Sequence, residues 1–274
     1  MASVHFGCGA AHGRDERFTK LTARPPTRNP IHKALQILCW MADASNDTYG
    51  VREIAAAVGL AVGTTHRLLA ILEEDEFVAR TEEGKYQLGL EMLRVSSAVT
   101  DKASIVDISR PYLEQLVRDC GETAILGLYS RARGEMMFAL VVDSPNPLRY
   151  AINQHQWIPS YAAASGLAIV SFLSLGERHE ILSSNVAPLT SRTMTDTAQI
   201  AAEMDQVRRR GYAVSMGQRT EGAVGIAAPI FRKGGSVIGD VLLTIPEHRF
   251  DPADEDALAL KVVKTAKNIT QQVG

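Results

Sequence analysis

A short stretch near residue 60 carries side chains of the types that read DNA. Within "GLAVGTTHRLLAILEEDEFVAR", residues 59–80, Val62 and Gly63 are followed by Thr64, His66 and Arg67. Arginine can donate two hydrogen bonds to guanine, and threonine can contact a thymine methyl group or a phosphate. A helix N-terminus attracts phosphate through its free N–H groups. These residues therefore predict a DNA-contacting surface, provided that they lie at the exposed start of a helix.

The neighbouring residues predict the elements that would place them there. Apolar residues recur at helical spacing over 31–41, 51–58 and 62–75. Gly50 suits the N-cap of the second helix, with Glu53 three residues later, and Gly59 suits its C-terminal end. On the third helix an inward face is predicted, and it consists of Thr65, Leu68, Leu69 and Leu72. Two short helices joined by a four-residue link are typical of a helix-turn-helix.

Two short strands, Phe77–Arg80 and Lys85–Leu88, follow around Gly84 and predict a wing beside the third helix. A recognition helix contacts base edges with its N-terminal residues while its second half packs on the domain. The predicted DNA-binding residues are Arg52, Val62, Gly63, Thr64, Thr65, His66, Arg67 and Lys85.

The charge balance argues against strong DNA binding by one copy alone. The chain carries a net charge of −2, and residues 34–90 contain four basic and nine acidic side chains. Because DNA affinity rests largely on phosphate neutralisation, the acidic run 73–76 must point away from the duplex. Dimerisation and a flexible basic arm over 1–29 would supply further contacts. For this arm, plain disorder at a chain end is the competing interpretation.

Composition limits the remaining function classes. Hydrophobic residues make up 46% and charged residues 22% of the 274 residues, as in globular proteins. Cys8, Cys39 and Cys120 form no paired motif, which suits a reducing compartment. We find neither a membrane-length apolar run nor a signal peptide, so a cytoplasmic protein is expected. No catalytic residue, metal site or cofactor is predicted, because the known nucleotide, zinc and hydrolase motifs are missing from the sequence.

The second half of the chain has a different pattern. A linker helix is predicted over 90–103 and a longer helix over 104–119, with Pro111 as an expected kink. Strand-like segments rich in β-branched residues then alternate with helices predicted at 161–173, 176–183, 196–210 and 254–271. This order predicts an α+β domain around an antiparallel sheet over 104–274. The winged helix-turn-helix is expected to occupy residues 30–89.

The segments "HKALQILCWMAD", "REIAAAVGLAVGTTHRLLAILEEDEFVAR" and "KYQLGLEML" resemble the N-terminal winged helix-turn-helix of IclR-type transcriptional regulators. "AAASGLAIVSFL", "RRRGYAVSMGQRTEGAVGIAAPIF" and "GDVLLTIPEHRF" resemble the C-terminal half of the same family. The resemblance implies a GAF-like domain that binds a small organic effector. It also implies a homodimer or homotetramer on double-stranded, palindromic operator DNA beside catabolic genes, with no membrane partner.

The chain departs from the family pattern at several positions. Ala61 stands where the recognition helix often starts with serine or proline, and Val62 replaces a frequent basic residue. Leu167 replaces a lysine of the effector domain. The resemblance places effector-binding residues at Ala164, Ser165, Ser215, Met216, Ala223 and Gly225. These residue types suggest a roomier and less polar pocket than an acid-lined one, and hence an effector with a sizeable apolar surface, such as an aromatic ring.

Three function classes remain open at this point. The first is an effector-responsive transcription factor. The second is a small-molecule sensor whose winged helix binds protein, and the third is an enzyme with an unrecognised site. Salt-dependent DNA binding would distinguish the first class from the other two.

Overall fold

The computed structural model describes residues 29–100, 105–183 and 186–273, and it divides into two units whose boundary in the sequence lies between Val99 and Thr100. The predicted basic arm lies outside these residues apart from Asn29, which caps the first helix through its side-chain oxygen. Among the described residues, no single helix is long and apolar enough to cross a membrane; the helices Val51–Val58 and Val62–Glu74 reach that length and apolarity only when joined across a bend of 110°.

The first unit is a winged helix-turn-helix. Its elements are α1 (Pro30–Asp43), α2 (Val51–Val58), α3 (Val62–Glu74), β1 (Val78–Arg80), β2 (Tyr86–Leu88) and α4 (Leu90–Thr100). The strands pair antiparallel, with Ala79 opposite Gln87. Tyr49 exchanges two backbone hydrogen bonds with Tyr86, of 2.9 and 2.8 Å, and thereby ties the start of α2 to the wing.

Apolar side chains from the three helices and the wing form one core in this unit. Its most deeply buried members are Ile37, Ile54, Leu69, Val78 and Tyr86. The predicted inward face of α3 is confirmed, since Thr65, Leu68, Leu69 and Leu72 are all buried. The 3.6-residue period thus fixes which face of α3 remains outside.

The second unit is built on one six-stranded sheet. Its elements are α5 (Ile105–Cys120), β3 (Thr123–Ser130), β4 (Glu135–Val142), β5 (Trp157–Pro159), α6 (Ala163–Val170), α7 (Leu175–Ser183), α8 (Thr197–Arg210), β6 (Ala213–Met216), β7 (Ala223–Phe231), β8 (Val237–Pro246) and α9 (Glu255–Val273). The strand order is β5-β4-β3-β8-β7-β6, and every neighbouring pair is antiparallel. The α+β class is therefore confirmed.

Helices cover both faces of this sheet, because its strands carry apolar residues on both sides. α5 and α9 pack on one face, where Leu113 and Val262 meet Ile226 and Leu243. α6 packs on the opposite face, where Leu167 meets Ile125 and Leu242. All eight residues of α6 are buried, so this helix is a core element with no exposed stripe.

Two features differ from the sequence prediction. The helix expected over 161–173 is shorter, because Ala163 has a left-handed φ of 63° and the chain after Val170 continues as a turn. Strand β5 was not predicted, since it has only three residues and pairs with β4 through Trp157 and Ile158 alongside Pro159. Both differences lie at the ends of α6 or in the segment that leads into it.

Candidate functional site

The start of α3 is open to solvent. Gly59 ends α2 with a φ of 68°, and the N–H of Leu60 closes that end on the carbonyl of Ala55 at 2.9 Å. α3 then begins after Ala61, which offers no side-chain oxygen as a cap. The first N–H groups of a helix lack partners within the helix. An anion bound at this end would therefore find free donors and the positive end of the helix dipole.

The predicted DNA-contacting side chains surround this helix start. Val62 is 45% exposed, and Gly63, His66 and Arg67 are exposed as well. Thr64 is half-buried. The structure therefore brings the polar residues of the first two turns to one surface.

Thr65 is a correction to the predicted set. Its side chain is fully buried, and its hydroxyl donates to the carbonyl of Ala61 at 3.2 Å. Thr65 lies on the buried face of α3, where its hydroxyl is satisfied by a carbonyl of the preceding turn. Thr65 thus fixes the first turn of α3 and does not present a side chain to DNA.

Arg52 and Lys85 lie on other elements. Arg52 is exposed in the first turn of α2, and Lys85 is exposed beside β2, with its ammonium 3.6 Å from a carboxylate oxygen of Glu83.

The acidic run at Glu73–Glu76 lies at the far end of α3. At a rise of 1.5 Å per residue, that end is about 18 Å from Val62. The acidic residues are thus separated from the helix start that would meet phosphate.

The predicted effector residues of the second unit converge on the start of α6. The hydroxyl of Ser215 accepts a hydrogen bond of 2.9 Å from the N–H of Ala164, and Ser215 lies opposite Gly225 in the β6–β7 ladder. A Cβ atom at Gly225 would lie 3.2 Å from Leu242, 3.3 Å from Ala164 and 3.4 Å from Ser215. These distances are typical of closely packed side chains. The expectation of a roomier pocket is therefore wrong at Gly225, because side chains already fill the space beside it.

Two further predicted residues lie apart from this contact. Met216 pairs with Val224, which belongs to the opposite face of the sheet, and successive strand residues alternate between faces. Met216 is therefore a correction, since it does not share a surface with Ser215. Ala223 begins β7 opposite Pro246 and is half-buried.

Ser165 contacts a carboxylate that the sequence analysis did not single out. Its hydroxyl donates to Oδ2 of Asp240, which is fully buried on β8. Burial raises the pKa of Asp240 to about 7, against the lowering effects of Ser165 and of the Arg219 charge. Oδ1 of Asp240 is buried without a hydrogen-bond partner in the described part of the chain, and a Cβ at Gly127 would lie only 2.0 Å from it.

Arg219 is a second charged residue beside α6; the residue as a whole is half-buried, and its guanidinium Nε is buried. One guanidinium nitrogen donates to the carbonyl oxygens of Pro159 at 2.9 Å and Ala162 at 3.1 Å. Burial lowers the pKa of Arg219 to about 10, although the Tyr161 and Asp240 side chains oppose this shift. Arg219 therefore clamps the segment between β5 and α6. A lone aspartate in the apolar run "VIGDVLLTI" was the only sequence signal for the buried carboxylate of Asp240.

Two family models match this chain in order. The IclR helix-turn-helix domain matches residues 30–82, and the bacterial transcriptional regulator IclR C-terminal domain matches residues 97–271. The chain belongs to the IclR family. It is therefore a DNA-binding transcriptional regulator with an effector-binding C-terminal domain, and the family resemblance seen in the sequence is confirmed.

Individual relatives agree with this assignment. The chain is 30% identical over 212 residues to the glycerol operon regulatory protein of Streptomyces griseus, covering 77% of this chain and 82% of that protein. It is 25% identical over 246 residues to the transcriptional repressor IclR of Escherichia coli, covering 89% of each.

Solved structures of the family share the fold. An IclR-type regulator from Silicibacter sp. TM1040 superposes with a TM-score of 0.80 at 26% identity, covering 90% of this chain and 96% of that one. An IclR homologue from Microbacterium hydrocarbonoxydans, complexed with 4-hydroxybenzoate, gives 0.76 at 19% identity, covering 89% and 99%.

Proposed function

We propose that this IclR-family regulator contacts operator DNA with the start of α3. Val62, Gly63, Thr64, His66 and Arg67 would enter the major groove, and Arg67 would supply the main base contact. Arg52 and Lys85 would contact phosphates on either side of the groove. The observation that supports this proposal is the uncapped, exposed N-terminus of α3 with these side chains around it.

The effector site is proposed at the start of α6, where this helix meets β6 and β7. Ala164, Ser165, Ser215, Ala223 and Gly225 would line it, with the serine hydroxyls and helix N–H groups taking the polar end of a small organic molecule. Because Ala164, Ser215 and Leu242 already surround Gly225 closely, an effector bound there must displace at least one of these side chains. This displacement would be the signal that ligand binding produces.

An effector with an aromatic or other apolar surface fits these residue types. The small side chains at Ala164 and Gly225 offer no ionic partner, whereas serine offers a neutral donor. The Microbacterium hydrocarbonoxydans neighbour, whose fold is similar, is complexed with an aromatic acid, 4-hydroxybenzoate.

The assembly and setting of the protein are also proposals. Residues 30–89 would bind DNA and 104–274 would bind effector, joined by a linker helix over 90–103. The protein would act in the cytoplasm as a homodimer or homotetramer at operators beside catabolic genes, without a cofactor and without catalysis. A dimer would double the phosphate contacts, which offsets the acidic balance of residues 34–90.

A gel shift with the full chain on its own upstream intergenic DNA tests the proposed function. The experiment compares wild type with Arg67→Ala at two salt concentrations, with excess competitor DNA. We expect Arg67→Ala to lower specific affinity by about 10-fold to 100-fold, because one bidentate guanine contact contributes about 1–3 kcal/mol. Arg118→Ala is the matched control, since it removes an exposed arginine from α5 in the other unit.

The same gel distinguishes the alternatives. An Arg67→Ala protein that binds as tightly as wild type would refute the assignment of α3 as the recognition helix. If no complex forms at either salt concentration, added aromatic acids and two- or three-carbon keto acids test for a required effector. No complex under any of these conditions would favour a winged helix that binds protein.

A further inference from the structure

A cavity lies in the effector-binding unit, away from the start of α6. It is a groove of about 410 Å³ between the end of α6, the last turn of α8, the end of β7 and the second half of α9. Small-molecule pockets span about 300–1,000 Å³, so this groove has room for a small ligand.

The groove has an apolar interior. Phe172 and Phe231 meet edge to face with their ring centroids 5.3 Å apart, and Pro229, Val263 and Ala266 extend the apolar lining. Such a surface binds aromatic rings or aliphatic chains by excluding water.

The charged residues that line the groove all carry the same sign. They are Arg208, Arg210 and Lys267, and no acidic side chain is among the described residues that line it. Arg210 is engaged elsewhere, because it donates to Glu203 at 2.8 Å and lies over the ring of Tyr212 at 4.8 Å. Arg208 and Lys267 are the cations that an incoming ligand would meet.

Arg208 offers a donor that the protein leaves unused. Its Nε donates to the carbonyl of Ser171, and Nη1 lies 3.3 Å from a carboxylate oxygen of Asp205. Nη2, by contrast, is buried and has no hydrogen-bond partner in the described part of the chain. A buried N–H group without an acceptor is unfavourable, and an anion in the groove would supply that acceptor.

The backbone at the groove disfavours an extended peptide as the occupant. β6 pairs with β7 only as far as Ala227, so β7 is an open edge beyond that point. Pro229 on this edge has no N–H, and the N–H of Phe231 already donates to Thr270 at 3.1 Å. A strand added here would find neither donor available.

We propose that this groove binds a small organic carboxylate with an aromatic ring or short acyl chain as its apolar body. The carboxylate lies against Arg208 and Lys267, and the apolar body lies against Phe172 and Phe231. The site is distinct from the start of α6, and the inference goes beyond the proposed DNA-binding function. Such a ligand is a second input to the same regulatory domain.

Isothermal titration of the full chain with 3-phenylpropionate and octanoate, and with the amide of each, tests this proposal. We expect each carboxylate to bind about 10-fold more tightly than its amide, because charge-assisted hydrogen bonds are the stronger class. Arg208→Gln lowers carboxylate affinity by about 10-fold, and Lys267→Gln by about 3-fold, since the Lys267 charge is exposed.

Matched controls lie on the same helices. Arg209→Gln and Lys264→Gln remove exposed cations outside the groove and leave affinity unchanged. Thermal unfolding shows whether Arg208→Gln is folded, and Lys267→Gln tests the proposal independently if it is not. The proposal is overturned if neither carboxylate binds, if the amides bind equally well, or if both groove variants bind like wild type. A change of oligomeric mass in Lys267→Gln also overturns it, since the groove is then an interface between copies.

Discussion

The starts of α3 and α6 share two sequence features, but one start is open to solvent and the other is buried. Each helix follows an alanine, Ala61 or Ala162, that cannot cap it through a side chain, and each has a glycine in its first turn. A Cβ at Gly63 would meet nothing within 4 Å, whereas one at Gly166 would lie 2.4 Å from the carbonyl oxygen of Ser160. The difference shows that the start of α3 is open to a partner as it stands, whereas the start of α6 admits a ligand only if its neighbours move.

The donors at the two helix starts are used differently. At α6 the N–H of Ala164 is bonded to Ser215, and Arg219 holds the preceding carbonyls of Pro159 and Ala162. At α3 no side chain caps the helix start. Substitutions at the start of α6 should therefore change stability most, and those at the start of α3 should change DNA affinity most.

The largest stability effect is expected from Asp240→Asn. Asparagine has nearly the shape of a protonated aspartate, and it would keep an oxygen for the hydroxyl of Ser165. Because burial raises the pKa of Asp240 to about 7, wild type must bury a charge above that pH. We expect the variant to be more stable than wild type at pH 8 by up to about 4 kcal/mol, and of similar stability at pH 4.

The direction in which the stability of the wild type changes with pH follows from proton binding by Asp240. Between about pH 4 and pH 7 the folded protein holds a proton on Asp240 that the unfolded chain has released. The stability that this group contributes is therefore fully present below about pH 4 and is lost as the pH rises from about 4 through the folded pKa of about 7. Urea unfolding at both pH values measures it, with the exposed Asp205→Asn as control. An equal effect of Asp240→Asn at both pH values would contradict the raised pKa.

Gly166→Ala is expected to have the next largest effect. A methyl group 2.4 Å from the carbonyl oxygen of Ser160 forces the backbone of one segment to shift. Overpacking of this kind costs about 1–3 kcal/mol. The urea midpoint should fall accordingly, while the fraction that remains folded should still bind DNA. An unchanged midpoint would mean that the start of α6 moves at little cost.

Much of the fold could be predicted because it depends on local patterns. The helical periods of α2 and α3 and the glycine at position 59 fixed the helix-turn-helix to within one or two residues. The strands β3, β4, β7 and β8 were recognised from their β-branched runs. Strand β5 and the shortened α6 could not be recognised in this way, because the left-handed φ of Ala163 depends on contacts distant in sequence rather than on local propensity.

The candidate sites could be predicted only in part. Exposure around Arg67 follows from its place on an amphipathic helix, and the burial of Thr65 follows from the same period. The contacts of Asp240 with Ser165, 75 residues apart, depend on which strands become neighbours in the sheet. Sequence spacing alone does not determine that order, so this buried carboxylate and Arg219 were overlooked.

The smallest stability effect is expected from Gly63→Ala, and it has the opposite sign to that of Gly166→Ala. Alanine favours helix by up to about 1 kcal/mol over glycine, and there is open space for the methyl group. Urea unfolding of the variant should therefore show a small gain in stability. Operator affinity should fall, because the methyl group keeps the backbone at the start of α3 from approaching the DNA closely.

Ala70→Gly is the matched control on the same helix. Ala70 is exposed in the second half of α3, away from the proposed contact surface, so glycine there should lower stability by about 1 kcal/mol without changing operator affinity. Opposite changes in stability and affinity for Gly63→Ala would place its effect at the DNA contact. If Gly63→Ala gains stability and binds the operator as tightly as wild type, the backbone of α3 does not approach the duplex at Gly63, and side chains alone make the contacts.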